Sequence, residues 1–226
     1  MKGKRRMRIV PVLDLMGGVV VHGRGGRRES YAPIRTPLGR ADDVPELAAR
    51  LVRAAGADTL YVADLDAILG GALQRDLLAH IGARLPGVDI WVDGGFGAPG
   101  QGSLPQAGMR PVFGTESLAC VVVELPPEAV LSLDFSAQGF VGQASWLDDH
   151  RSWPRRVICM TMAAVGGGAG PEMETIGAVL ARAEGRAVYA AGGVRDAEDI
   201  RVLAAQGCAG ALVATALHDG RIGALY

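Results

Sequence analysis

Residues 11–23, PVLDLMGGVVVHG, and residues 131–143, LSLDFSAQGFVGQ, follow one pattern. Each is an apolar strand ending on Leu-Asp-apolar, then a loop that returns to an apolar pair. A repeat is sought before any fold is assigned, because a duplicated unit constrains the whole architecture. This one continues downstream. WVDGGFG (91–97) parallels YAAGGVR (189–195), and VFGTESL (112–118) parallels LVATALH (212–218), at nearly the same spacing within each half.

Around these anchors, runs of Val, Ile and Leu alternate with Ala, Leu, Glu and Arg stretches of helical spacing, the mark of βαβ units around a parallel sheet. The pattern predicts strands at Arg8–Leu13, Leu60–Ala63, Ile90–Val92, Val112–Phe113, Ala129–Leu133, Val157–Thr161, Val188–Ala190 and Ala211–Val213. Amphipathic helices are predicted over Val44–Ala55, Leu73–Arg84, Pro171–Glu184 and Asp196–Gln206. Pro171 suits a first helical turn and Asp196 an N-cap. Glycine and proline leave the helices after the third, fourth, fifth and eighth strands short or damaged, as in GAPGQGSLPQAG (97–108). Two four-strand units then close into a (β/α)8 TIM barrel with a two-fold half-barrel repeat, one domain over residues 1–226, because the connection rules admit few other topologies.

The chain has 226 residues, 49% of them hydrophobic, enough to bury one large core. A formal net charge of −1 gives no reason to expect nucleic acid or an anionic membrane as partner. The basic start MKGKRRMRIV meets Pro11 and Asp14 too early for a signal-peptide core. No apolar run approaches the roughly 20 residues of a membrane span, so a cytoplasmic protein is expected. Cys120, Cys159 and Cys208 each lie in an apolar run and read as buried free thiols.

Asp14 and Asp134 close the first and fifth strands, opposite staves of an eight-strand barrel, at the face where barrels keep their chemistry. Two carboxyl groups on one cavity can divide acid and base duty if burial or a neighbouring charge keeps one of them protonated. Asp64, Asp66 and Asp93 add carboxylates at the ends of the second and third strands, as a substrate rim or, alternatively, as oxygen ligands for a divalent cation. His22, His80, His150 and His218 show no zinc spacing, and no metal or cofactor is expected.

Glycine pairs at strand ends let backbone N–H groups approach an anion. AGGVRDAED (191–199) and VATAL (213–217) make Gly192, Gly193, Ala214 and Thr215 the stronger phosphate site, where barrels commonly hold phosphate. Gly94, Gly95, Gly114 and Thr115 are its counterpart in the first half, with a helix spoiled by Gly97 and Pro99. GGGAGP (166–171) reads equally as a lid or a tight turn. GRGGRRESYAPIR (23–35) carries Arg24, Arg27, Arg28 and Arg35, and reads as a phosphate-clamping cap or a solvated loop.

These residues together resemble the histidine-biosynthesis barrel family, which includes the phosphoribosylformimino-aminoimidazole carboxamide ribotide isomerase and the related cyclase. The resemblance rests on VPVLDLMGGVVV, YVADLDA, the glycine pairs, LSLDF and AGGVRDAEDIRVLAAQGCAGALVATALHDGRI, and covers nearly the whole chain. It implies that Asp14 is the base and Asp134 the acid in a cofactor-free Amadori rearrangement. It also implies a substrate with a phosphate at each end, one at Gly192, Gly193, Ala214 and Thr215, the other near Gly94, Gly95, Gly114 and Thr115. Three positions depart from the family's pattern. Val165 stands in place of an aspartate, Gly167 in place of a threonine, and Gly97 in place of an arginine.

With those departures, the spellings VVVHGRGGRRESYAPI, YVADLDAI and VGGGAGP look closer to an isomerase-related branch of organisms that use methanopterin-linked one-carbon metabolism. The leading expectation is a cofactor-free isomerase, or a related rearranging enzyme, acting on a phosphorylated small molecule in one-carbon cofactor metabolism rather than histidine synthesis. A metal-assisted lyase or synthase using Asp64, Asp66 and Asp93 is one alternative. A non-catalytic phosphate-binding partner subunit is another. A barrel left open where its helices are short would favour a homodimer.

Overall fold

The computed structural model describes residues 7–23, 31–101, 103–119, 124–166 and 168–223. Eight parallel strands are its staves: β1 (Arg8–Met16), β3 (Thr59–Asp64), β4 (Asp89–Asp93), β5 (Met109–Gly114), β6 (Val130–Ser136), β8 (Arg156–Thr161), β9 (Ala187–Ala191) and β10 (Gly210–Val213). Each pairs with the next, and β10 returns to β1 through the register Arg8↔Gly210 to Pro11↔Val213. The closed ring is a (β/α)8 barrel, which leaves no stave with unpaired backbone. All eight expected strands are present at their expected places.

Two further strands are hairpin returns. β2 (Val19–Val21) folds back antiparallel on β1, with Asp14 opposite Val21, and β7 (Gly139–Val141) does the same on β6, with Asp134 opposite Val141. The two halves of the repeat thus share one register down to the aspartate. At the first return Gly17 and Gly18 take φ values of 58° and 78°, a left-handed pair that only glycine adopts readily.

The helices α1 (Val44–Ala55), α3 (Arg75–Arg84), α5 (Met173–Arg182) and α6 (Ala197–Gln206) cover the barrel, while α2 (Leu65–Ile68), α4 (Ser145–Asp148) and α7 (Thr215–His218) are single turns. In α1, Val44, Leu47, Ala48, Leu51, Val52 and Ala55 recur at helical spacing and are all buried. Gly56, at φ 58°, ends that helix in the left-handed conformation. Asp196 caps α6 as expected, accepting from the N–H groups of Glu198 and Asp199. Pro171 corrects an expectation: α5 begins at Met173 after the cap residue Glu172, so the proline precedes the helix instead of opening it.

The barrel interior is filled by inward side chains from every stave, including Val10, Tyr61, Val112, Val130, Ile158 and Leu212. Trp91 and Tyr189, from opposite staves, meet edge to face at 4.8 Å within this interior. Leu13, Leu60, Leu131, Val157 and Val188 alternate outward against the helices. Cys159 and Cys208 are buried free thiols, as expected, while Cys120 lies outside the described residues. No helix among the described residues is long and apolar enough to cross a membrane.

Candidate active site

A cavity of about 210 Å³ opens at the C-terminal ends of the staves. Asp14, Asp93 and Asp134 all face it. β1 and β6 are opposite staves, so the repeated aspartates approach the cavity from opposite walls.

Asp134 is almost wholly buried, with 4% of its surface exposed. Its Oδ1 accepts from the Ser132 hydroxyl at 2.6 Å, and its Oδ2 accepts from the Glu116 N–H at 3.0 Å. The Thr115 hydroxyl accepts from the Asp134 N–H at 3.0 Å and points its proton toward Oδ2 at 3.4 Å. Burial pushes the carboxyl up to about 7, against the lowering effect of the Ser132 and Glu116 donors, and the negative charges of Asp93 and Glu116 add to the rise. Near neutral pH this group therefore holds a proton part of the time, as a general acid must.

Asp14 differs. It is half-buried, and Gly23 packs so close that a Cβ there would sit 2.6 Å from its Oδ2. Tyr61 lines the same cavity, and its hydroxyl donates to Asp93 Oδ2 at 2.9 Å. Burial raises the Tyr61 phenol well above its ordinary range, with Asp93, Asp134 and Asp14 all adding negative charge, so the phenol stays protonated and donating. Tyr61 was not singled out by the sequence reading. Its signal was strand alternation, which puts Tyr61 and Ala63 on the inward face of YVADLDA.

The remaining carboxylates expected at the rim divide. Asp93 lines the cavity and also accepts from the Gly95 N–H at 3.1 Å. Asp64 is fully buried and accepts from the Ala67 N–H, the Gln74 N–H and the Gln74 amide at 3.2, 2.7 and 3.0 Å, so it anchors the loop after β3. Asp66 accepts from the Gly17 N–H at 2.7 Å and fastens the β1–β2 turn. Neither Asp64 nor Asp66 lines the cavity. Among the described residues no group of three His, Cys, Asp or Glu side chains is placed to hold a metal ion.

The two glycine sites divide as sharply. Gly192, Gly193, Ala214 and Thr215 all line the cavity, with Arg195 and Arg221 beside them. Gly192 and Gly193 sit at φ 102° and 78°, and an added Cβ would collide with the Thr161 and Gly170 carbonyl oxygens respectively. Arg195 is held by a two-pronged pair with Asp199 at 2.7 and 2.9 Å, and Arg221 donates to the Arg195 carbonyl at 3.2 Å. His22 meets the Thr215 hydroxyl at 3.1 Å.

In the first half, Gly94, Gly95, Gly114 and Thr115 lie off the cavity. A Cβ at Gly94 would fall 2.8 Å from Leu73 and 2.9 Å from Phe96, and one at Gly95 would fall 2.7 Å from the Ile68 backbone. Gly114 allows Asp134 its place, because a Cβ there would stand 3.0 Å from Oδ2. Of the four residues expected to form a second anion site, Gly114 and Thr115 instead support the acid, while Gly94 and Gly95 pack against Leu73, Phe96 and Ile68.

Glu116 also lines the cavity, and most of the remaining wall is apolar. Val12, Leu65, Ile68, Met160, Met162 and Val165 make up much of its wall. Gly166 and Gly168 of the glycine cluster line it as well, with Gly167 outside the described residues. Of the arginine-rich segment, residues 24–30 are likewise outside them, and Tyr31 reaches the cavity.

A model of the family described as histidine biosynthesis protein matches residues 8–115 and 125–223. An uncharacterized protein of Methanocaldococcus jannaschii is 30% identical over 217 residues, covering 95% of this chain and 94% of that protein. The 1-(5-phosphoribosyl)-5-((5-phosphoribosylamino)methylideneamino)imidazole-4-carboxamide isomerases of Symbiobacterium thermophilum and Acidithiobacillus ferrooxidans are 30% and 29% identical. Those matches cover 96% of this chain in both cases, and 94% and 96% of the respective enzymes.

Proposed function

The chain belongs to the histidine biosynthesis protein family, and from that premise we propose that it is a cofactor-free isomerase of a phosphorylated small molecule, with Asp134 as general acid and Asp14 as general base. The observation that carries this reading is the unequal environment of two equivalent aspartates: Asp134 is buried and raised to about 7, while Asp14 is only half-buried on the opposite wall. Two carboxyl groups whose surroundings separate their proton affinities divide into acid and base.

In an Amadori-type step, protonated Asp134 gives its proton to the ring oxygen of a phosphorylated aminoaldose, and the ring opens to an iminium at C1. Asp14 then takes the proton from C2, leaving an enaminol. Reprotonation at C1 and loss of the hydroxyl proton at C2 give the aminoketose. Tyr61 fixes Asp93 beneath the reacting carbons, and the phosphate rests on the Gly192, Gly193, Ala214 and Thr215 backbone with Arg195 and Arg221 near it. The isomerases among the relatives act at this level of chemistry by their names, and lend it support.

The substrate lies outside histidine synthesis on this reading. Val165 presents apolar surface where the histidine-pathway pattern has an aspartate, and one-carbon cofactor metabolism in the cytoplasm is the setting favoured by the spelling of the sequence. The test is turnover of phosphorylated aminoaldoses by wild type, Asp14→Asn and Asp134→Asn. Loss of a general acid or base costs about 100- to 10,000-fold in rate. Two variants that both keep the wild-type rate would rule out the mechanism.

A further inference from the structure

The repeat aligns Gly97 with Arg195 and Glu116 with Ala216, so each half can be read against the other position by position. At the open site Arg195 brings a guanidinium to the cavity. At its counterpart Gly97 brings no side chain, and its N–H donates at 2.8 Å to the side-chain carbonyl oxygen of Gln101. An oxygen of this chain thus already occupies a donor that would face an anion. The N–H of Gly95, the counterpart of Gly193, is likewise turned to Asp93. Leu73 and Phe96 close over Gly94. Glu116 faces the cavity where the other half has the methyl group of Ala216, which is buried. Relative to the second half, the first has lost a cation and gained an anion, and the Asp93, Glu116 and Asp134 carboxyl groups line the cavity together with Asp14 on the wall opposite Asp134.

We infer that the substrate carries a single phosphate, and that its other end is an uncharged or amine-bearing body lodged against the carboxylates and the Met160, Met162 and Val165 wall. This rests on the reading of the Gly192–Thr215 side as the phosphate end. A second phosphate would meet the Glu116 carboxylate and the Gln101 carbonyl oxygen, and like charges brought face to face oppose binding.

The experiment is calorimetric titration of the full chain with inorganic phosphate, ribose 5-phosphate and ribose 1,5-bisphosphate. Ribose 5-phosphate should bind, the bisphosphate should gain less than tenfold over it, and Arg221→Ala should weaken both. In a Gln101→Ala/Glu116→Ala double variant the ratio of bisphosphate to ribose 5-phosphate affinity should rise tenfold or more over wild type, and an unchanged ratio overturns the inference. A bisphosphate that binds wild type tenfold or more tightly than the monophosphate overturns the single-phosphate inference and leaves the proposed isomerase intact. Failure of all three probes to bind overturns the phosphate end itself, and the inference with it.

Discussion

Asp14 and Asp134 occupy the same register in two copies of one hairpin, each opposite a valine of its returning strand. Their surroundings have nothing else in common. Around Asp134, Gly114, Thr115, Ser132 and Glu116 form a tight socket that excludes water and donates to the carboxylate. Around Asp14, Gly23 and Tyr31 leave the group half-open. The glycine sites run the other way. The second half keeps its pair open to the cavity, and the first half uses the equivalent residues to build the acid's socket and to pack Leu73 and Phe96. Duplication copies a backbone, and roles then separate through a few side chains that change burial and charge.

The sharpest way to break this comparison is to place a methyl group in each glycine pair. Gly193→Ala should lower affinity for ribose 5-phosphate at least tenfold by calorimetry, because its Cβ collides with the Gly170 carbonyl at a φ of 78°. Gly95→Ala is strained as well, at φ 66° and 2.7 Å from the Ile68 backbone. It should cost about 1–3 kcal/mol of stability by denaturant titration and leave the affinity of the folded protein unchanged. Equal losses of affinity would show that the two sites have not diverged.

A second contrast lies in pH dependence. In the folded protein Asp134 titrates near 7 instead of its ordinary 3.8, so between those values the native state holds a proton that the unfolded chain has released. Stability should therefore fall as pH rises through that window, by a few kcal/mol in total, and level off above it. Asp134→Asn should flatten the profile of melting temperature against pH. The smallest effect expected is that of Ser132→Ala. Removing the hydroxyl that donates to Oδ1 at 2.6 Å should move the basic limb of the kcat/KM profile upward, since the carboxylate loses its closest donor. A downward move would mean that Ser132 does not serve the ionised form.

The staves, the helices over residues 44–55 and 196–206, and the paired aspartates were legible because each is set by local pattern: period-two burial, helical spacing, a capping side chain, a repeated Leu-Asp. Asp64, Asp66 and the first glycine pair were misassigned for one physical reason. A carboxylate or a glycine at a strand end looks the same in sequence whether it faces the cavity or the next loop, and only the path of that loop decides. Gln74 reaches back to Asp64, the β1–β2 turn swings over Asp66, and Gln101 turns its carbonyl onto Gly97, contacts made across 10, 49 and 4 positions of chain.

The sequence by itself determined a duplicated eight-strand barrel with an aspartate at each half's centre, since short-range periodicity and repetition are properties of neighbouring residues. The tertiary structure decided which aspartate is buried enough to hold a proton, that Tyr61 donates to Asp93 in the same cavity, and which of the two glycine sites is open. Those outcomes depend on desolvation and on contacts between loops from different staves, and neither is encoded in any one segment.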